Sequence, residues 1–260
     1  MKICGIGNSV AASRTEEEAP LAGRGQYLDE FLGAGCDVRS YARDAMTLRG
    51  YYTERFAALL TLVSPGDLVL VAFGHVEKRI TRLNRYHGPR EFKEYLRLYV
   101  AALRTEGVPI LVAPAARCVF DVAGRPVDTH DGSREPTLEA AAELDCPVID
   151  LTASTTQLLA ELGPTRARGL YRWLDPGEHP GHPQGIIDAS HFNQAGAREV
   201  ARLVVSGLAG RGTEKVMVLE QGRLITEAPV QDDGIWRVTH AHDWRPGSYA
   251  VEFVGVFSLI

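Results

Sequence analysis

In the stretch 185-GIIDASHFNQAGA-197, Asp188 stands three residues before His191. A carboxylate one turn from an imidazole can fix the ring's tautomer and stabilise the imidazolium formed when the ring takes a proton. A base prepared in this way needs a nucleophile. Ser9, in 7-GNSVAAS-13, follows an apolar run and is flanked by small residues, a place where a hydroxyl can be presented at a strand-to-helix turn. Serine is a weak nucleophile at neutral pH unless a base lies within hydrogen-bond reach, so these three side chains together point to acyl transfer. Each alone has an ordinary structural use: a helix cap for Ser9, a turn residue for Asp188, a backbone-bonded ring for His191.

Short apolar runs alternate with amphipathic stretches along most of the chain. The runs predict strands over 2–7, 37–42, 67–73, 108–114 and 147–151, and the stretches predict helices over about 20–34, 50–63, 89–106, 135–145, 152–162 and 194–209. Strands apolar on both faces, separated by helices, specify a parallel sheet covered on both sides. The expected fold is therefore a three-layer α/β/α arrangement on a five-stranded parallel sheet. Ligands of such sheets bind at the carboxyl ends of the strands. Four polar segments, 7–13, 42–47, 74–79 and 188–191, are placed to converge there.

From Gly210 onward the helical period disappears. The tail alternates polar and apolar residues and carries Asp-Asp-Gly and Pro-Gly turn signals, which predicts three or four short antiparallel strands. The expected organisation is a catalytic α/β domain over 1–211 and a small β-rich extension over 212–260.

These residues resemble the SGNH (GDSL-type) hydrolase superfamily, most closely its rhamnogalacturonan acetylesterase-like branch. The family's Gly-Asp-Ser is similar to Gly7-Asn8-Ser9, and its Phe-Gly-His-Asn-Asp to Phe73-Gly74-His75-Val76-Glu77. Its last block, Asp-x-x-His with Phe-Asn and Gly-Ala, is matched by Asp188, His191, Phe192, Asn193, Gly196 and Ala197. The resemblance spans about residues 2–209. It implies a flavodoxin-like fold, with Ser9 as nucleophile, His191 as base and Asp188 as orienting acid. It also implies an oxyanion hole from the backbone N–H groups of Ser9 and Ala45, the latter where the family has glycine.

The main departure is Val76. The family's Asn there donates a third hydrogen bond to the oxyanion, and valine donates none. Removing one such donor typically costs on the order of 10²–10³ in rate. His75, Arg79 and Asn84 are the nearby side chains able to substitute, and His75, Val76, Arg79 and Trp173 are the candidate substrate-contacting residues. His75 reads more readily as a support for its loop than as a catalyst.

Composition narrows the function classes. A net charge of −5 argues against a nucleic-acid partner. No apolar run approaches the roughly 18 residues of a membrane span, and Met1 leads directly into a strand rather than a signal peptide, so a cytoplasmic protein is expected. Neither metal spacing nor a CxxC pair occurs among the four cysteines, which read as reduced core thiols. His179 and His182 in 175-DPGEHPGHPQG-185 read as a rim loop rather than zinc ligands, and His240 and His242 as solvated strand residues. The expectation is a serine esterase needing no cofactor or metal. It would act on a small-molecule O-acyl ester, most simply an O-acetyl group on a sugar-like metabolite, with a homodimer as a further possibility. The rival readings are an acyltransferase using the same triad and a non-catalytic binding protein.

Overall fold

The computed structural model of the chain describes residues 2–32, 36–77, 85–209, 215–220, 223–229 and 249–254. Five apolar runs form parallel strands: β1 (Lys2–Gly7), β2 (Asp37–Ser40), β3 (Leu68–Ala72), β4 (Val108–Val112) and β5 (Val148–Ile149). They pair in the order β2-β1-β3-β4-β5. The central strand β3 is buried at every position, as its unbroken aliphatic run requires. Leu68, Leu70 and Ala72 face one core, and Val69 and Val71 face the other.

Helices cover both faces. On the face of Val69 and Val71 pack α1 (Leu48–Glu54), α2 (Phe56–Leu60), α3 (Pro89–Leu103) and α4 (Asp131–Glu143). Helix α3 buries Phe92, Leu96, Tyr99, Val100 and Leu103, a spacing that keeps one stripe on the sheet. Each such side chain contributes roughly 1.5–3 kcal/mol on burial. The Tyr99 hydroxyl, buried with them, donates to the Leu48 carbonyl at 2.9 Å. On the opposite face lie α5 (Leu151–Ala167) and α6 (Gln194–Ala209). The three-layer α/β arrangement is as expected.

Two regions differ from the sequence reading. Residues 20–32 do not form the helix expected there: the segment contains separate 3-10 turns at Arg24–Gln26 and Asp29–Phe31. The cause is close backbone approach. Gly23 and Gly25 lie so near the Ala12 and Ala11 carbonyls that a Cβ at either position would collide with them. Two glycines used this way cannot also sustain a helical period. The second difference is an antiparallel hairpin, β6 (Tyr171–Leu174) with β7 (Ile186–Phe192), where a connecting loop was expected.

In the tail, β8 (Lys215–Glu220), β9 (Arg223–Pro229) and β10 (Tyr249–Val254) pair antiparallel in the order β10-β8-β9. His240 and His242 lie outside the described residues. All four cysteines are free. Among the described residues, no helix is long and apolar enough to cross a membrane.

Candidate active site

Ser9 sits in a tight turn at the carboxyl end of β1, closed by a hydrogen bond from the Ala11 N–H to the Asn8 carbonyl at 3.0 Å. Gly7 makes this exit possible, since a Cβ there would strike the Ala72 carbonyl of the neighbouring strand. The fully buried Asn8 side chain accepts from the Val10 N–H and braces the turn. The result is a half-buried serine hydroxyl at the top of the sheet.

His191 and Asp188 reach Ser9 from β7. Between the Tyr171–Phe192 and Arg172–Asp188 pairs the register shifts, so that residues 189–191 bulge from the ladder. Asp188 organises the bulge. Its Oδ1 accepts from the Ser190 N–H at 3.0 Å and the His191 N–H at 3.1 Å, and its Oδ2 lies 2.8 Å from His191 Nδ1. On the far side of the ring, Nε2 lies 2.9 Å from Ser9 Oγ. Burial raises the Asp188 pKa, but the bond to His191, the charge of that ring and the two N–H donors outweigh it and lower the pKa to about 2. The carboxylate is therefore ionised throughout the working range and can stabilise an imidazolium.

The segment after β7 holds the histidine in place. Phe192 is buried against the Tyr171 ring, and Asn193 caps α6 by accepting from Gly196 N–H while its amide donates to the Gly169 and Tyr171 carbonyls. Gly196 passes so close to the Leu170 carbonyl that no Cβ fits. The Phe192 carbonyl accepts from Ala22, and that of Ala189 from Cys118, tying the bulge to the loops around it.

Two residues that sequence reasoning missed fix the loops beside Ser9. Arg14 donates to the Ser9 carbonyl at 3.0 Å and grips the Asp44 carboxylate through both terminal nitrogens. It thereby staples the Ser9 turn to the loop bearing Ala45. Ala45 adopts φ 56°, a left-handed conformation that costs a non-glycine residue roughly 1–2 kcal/mol. Glu77 is buried to 2 % exposure, and its carboxylate accepts from the Leu48, Gly74 and Val76 N–H groups at 2.7–3.0 Å. It fixes the loop after β3 to the start of α1, and burial raises its pKa despite those donors. The only sequence signal for Glu77 was its place in the third block; Arg14 carried none.

The remaining candidates separate. His75 is buried, and its Nε2 donates to the Ala115 carbonyl at 3.0 Å with the His130 ring 4.6 Å away. Burial, then the positive charges of His130, Arg117 and Arg24, lower its pKa well below the ordinary value, so it is neutral. Its contacts are those of a loop support. Val76 is half-buried beside it, with its N–H committed to Glu77. Trp173 lies on β6, its ring covered by the Arg168 guanidinium at 4.6 Å. Arg79 and Asn84 lie outside the described residues. His179 Nδ1 accepts from Gly181, and His182 Nε2 from Arg172. Among the described residues, no group of three or more His, Cys, Asp or Glu is arranged to hold a metal ion.

Known proteins resemble the chain over most of its length. No family model matches the chain. Rhamnogalacturonan acetylesterase RhgT of Bacillus subtilis is 34% identical over 208 residues, which cover 79% of this chain and 88% of the relative. The probable rhamnogalacturonan acetylesterase YesY of the same organism is 28% identical over 193 residues, covering 73% of this chain and 84% of the relative. The crystal structure of Bacillus subtilis YxiM superimposes with a TM-score of 0.69 at 26% identity, over 80% of this chain and 55% of that one. An acetylxylan esterase from Geobacillus stearothermophilus shares the fold, with a TM-score of 0.56 at 14% identity over 80% of this chain and 93% of that one. The chain belongs to the SGNH (GDSL-type) hydrolases, in their rhamnogalacturonan acetylesterase-like branch, and is a carboxylic ester hydrolase of the acetylesterase kind.

Proposed function

We propose that the chain removes an O-acetyl group from a carbohydrate or similar polyol through Ser9, His191 and Asp188. The observation that carries this reading is the unbroken chain of contacts from Ser9 Oγ to His191 Nε2 and from His191 Nδ1 to Asp188 Oδ2. Ser9 Oγ attacks the acetyl carbonyl carbon while its proton passes to His191 Nε2. The negative charge that forms on the carbonyl oxygen is met by the backbone N–H groups of Ser9 and Ala45. Collapse breaks the ester C–O bond, and His191 gives the proton to the departing sugar oxygen, which leaves as a free hydroxyl. Water, deprotonated by the same ring, then attacks the acetyl-enzyme and releases acetate and free Ser9.

The names of the relatives support an acetylated sugar as the substrate class: RhgT and YesY are named for rhamnogalacturonan, and the Geobacillus enzyme for acetylxylan. With Val76 the oxyanion has two donors instead of three, so turnover is expected to be lower by on the order of 10²–10³ than with a third donor present. The test is fluorophosphonate labelling of wild type, Ser9→Ala and His191→Ala, followed by acetate release from a panel of acetylated sugars. Labelling confined to wild type, with acetate released from sugars, supports the reading. A well-folded wild type that neither labels nor releases acetate sinks it.

A further inference from the structure

The chain leaves the carboxyl end of β4 through 113-APAARC-118, a stretch with neither helix nor strand of its own. Its backbone groups are committed to other elements instead. The Pro114 carbonyl accepts from the Thr152 hydroxyl of α5 at 2.6 Å, and the Ala116 N–H donates to the Thr155 hydroxyl of the same helix at 2.8 Å. The Ala116 carbonyl accepts from the buried Tyr171 hydroxyl of β6 at 2.7 Å. The Ala115 carbonyl accepts from the His75 ring, and the Cys118 N–H donates to the Ala189 carbonyl of the bulge at 2.9 Å. Buried backbone groups need partners, and these pin the segment on several sides at once.

Arg117 extends this joint through its side chain. It is half-buried, and its Nη2 donates to the His75 carbonyl at 2.9 Å. That carbonyl belongs to the peptide unit joining His75 to Val76, so the guanidinium is fastened to the loop after β3 immediately before Val76. A guanidinium carries its charge at every working pH, and a charge-assisted bond is stronger than one between neutral groups. The next residue, Cys118, holds the bulge two positions before His191. Arg117 and Cys118 therefore span from the backbone at Val76 to the backbone that presents His191. The His75 ring and the Glu77 carboxylate already keep the loop after β3 buried. The guanidinium adds a separate attachment, at Val76.

We propose that Arg117 is a positioning residue of the esterase reaction, which holds the His75–Val76 peptide in register with the bulge bearing His191. The inference rests on the hydrolytic reading of Ser9, His191 and Asp188. Arg117 acts through the loop and not on the acyl group itself. Its loss lets the wall at Val76 shift relative to the base, which misaligns attack more than it weakens binding.

The test is p-nitrophenyl acetate hydrolysis and thermal unfolding of the full chain as wild type, Arg117→Met and Arg117→Lys. Arg117→Met keeps the apolar stem without a donor, and its kcat should fall by roughly one to two orders of magnitude with KM little changed. Arg117→Lys keeps a cationic donor of similar reach and should recover most of that loss, because only one bond to the His75 carbonyl has to be replaced. An unchanged kcat in Arg117→Met, a loss carried by KM instead, or a fall that Arg117→Lys shares in full overturns the role of Arg117 while wild-type activity leaves the hydrolytic reading standing. A folded but inactive wild type sinks that reading and this inference with it. Should Arg117→Met fail to fold, Arg117→Gln takes its place, with an amide donor on a shorter stem. A lowered kcat at unchanged KM supports the role there, and a wild-type kcat overturns it.

Discussion

Asp188 has two separable jobs, and one substitution divides them. Its Oδ1 holds the bulge through two backbone N–H groups, and its Oδ2 holds the imidazole. In Asp188→Asn the amide oxygen can keep the two N–H bonds, but the negative charge is lost. The amide would also donate to Nδ1, leaving the ring proton on Nε2, where it faces Ser9 and cannot act as base. A fall in kcat on the order of 10³–10⁴ follows. The stability cost comes from the same charge. The pKa shift from the ordinary 3.8 to about 2 corresponds to roughly 2 kcal/mol at about 1.4 kcal/mol per unit, and Asn resembles the protonated form. Asp188→Ala additionally strands the Ser190 and His191 N–H groups, adding about 1–3 kcal/mol. Because the folded pKa is depressed, wild type keeps this contribution above about pH 4 and loses it as pH falls toward 2, whereas Asp188→Asn lacks that step. Urea unfolding at pH 7 and pH 3, beside hydrolysis of p-nitrophenyl acetate, measures all three quantities. If Asp188→Asn unfolds as easily as Asp188→Ala, or keeps activity within tenfold of wild type, the division of labour is wrong.

Other expectations concern the groups around the triad. Val76→Asn should raise kcat at least tenfold on acetyl esters with little change in KM, since it adds a donor used only in the transition state; an unchanged kcat would remove Val76 from the oxyanion account. Arg14→Ala should lower kcat by one to two orders of magnitude with a smaller loss of Tm, and Arg14→Lys should restore only part, because one ammonium cannot reproduce the bidentate grip on Asp44. Glu77→Gln places an amide N–H against backbone donors and should cost about 2–4 kcal/mol in urea unfolding. His75 is held neutral with a depressed pKa, so the unfolded chain takes up its proton first; stability should fall as pH drops below about 6.5, and less steeply in His75→Gln.

Much of this architecture was readable from residue types. Runs such as 67-DLVLVAF-73 are apolar at successive positions, short, rich in Val and Leu and preceded by a Pro-Gly turn, which fits a strand buried on both faces. The contact of Ser9 with His191 and Asp188 was readable because Asp188 and His191 are local partners and Ser9 follows a strand directly. The segment at 20–34 misled because its apolar residues repeat at helical intervals, while Gly23 and Gly25 serve contacts with residues 11 and 12 that no local pattern records. The hairpin of β6 and β7 was hidden by its Pro- and Gly-rich connection and by a bulge that breaks alternation where His191 stands. Arg14 and Glu77 escaped for a related reason: they act on backbone groups of loops brought near only by the fold, and an isolated Arg or Glu has no signature for that. Residues such as Arg79 and His240 lie outside the described part of the chain.

Ser9 and His191 are separated by 182 positions in sequence yet lie in hydrogen-bond contact. Ser9 is synthesised 182 positions before His191, and no arrangement of the intervening strands and helices alone can supply that ring. The first strand must already have paired with its neighbours, and the hairpin of β6 and β7 must have docked, before the Ser9 hydroxyl meets His191. Loop closure over so long a span is among the slower events of folding, since its entropy is lost before its contacts form. During synthesis and refolding the serine therefore stays chemically quiet, and esterase activity should return with the last phase of refolding rather than with the first appearance of helix and sheet.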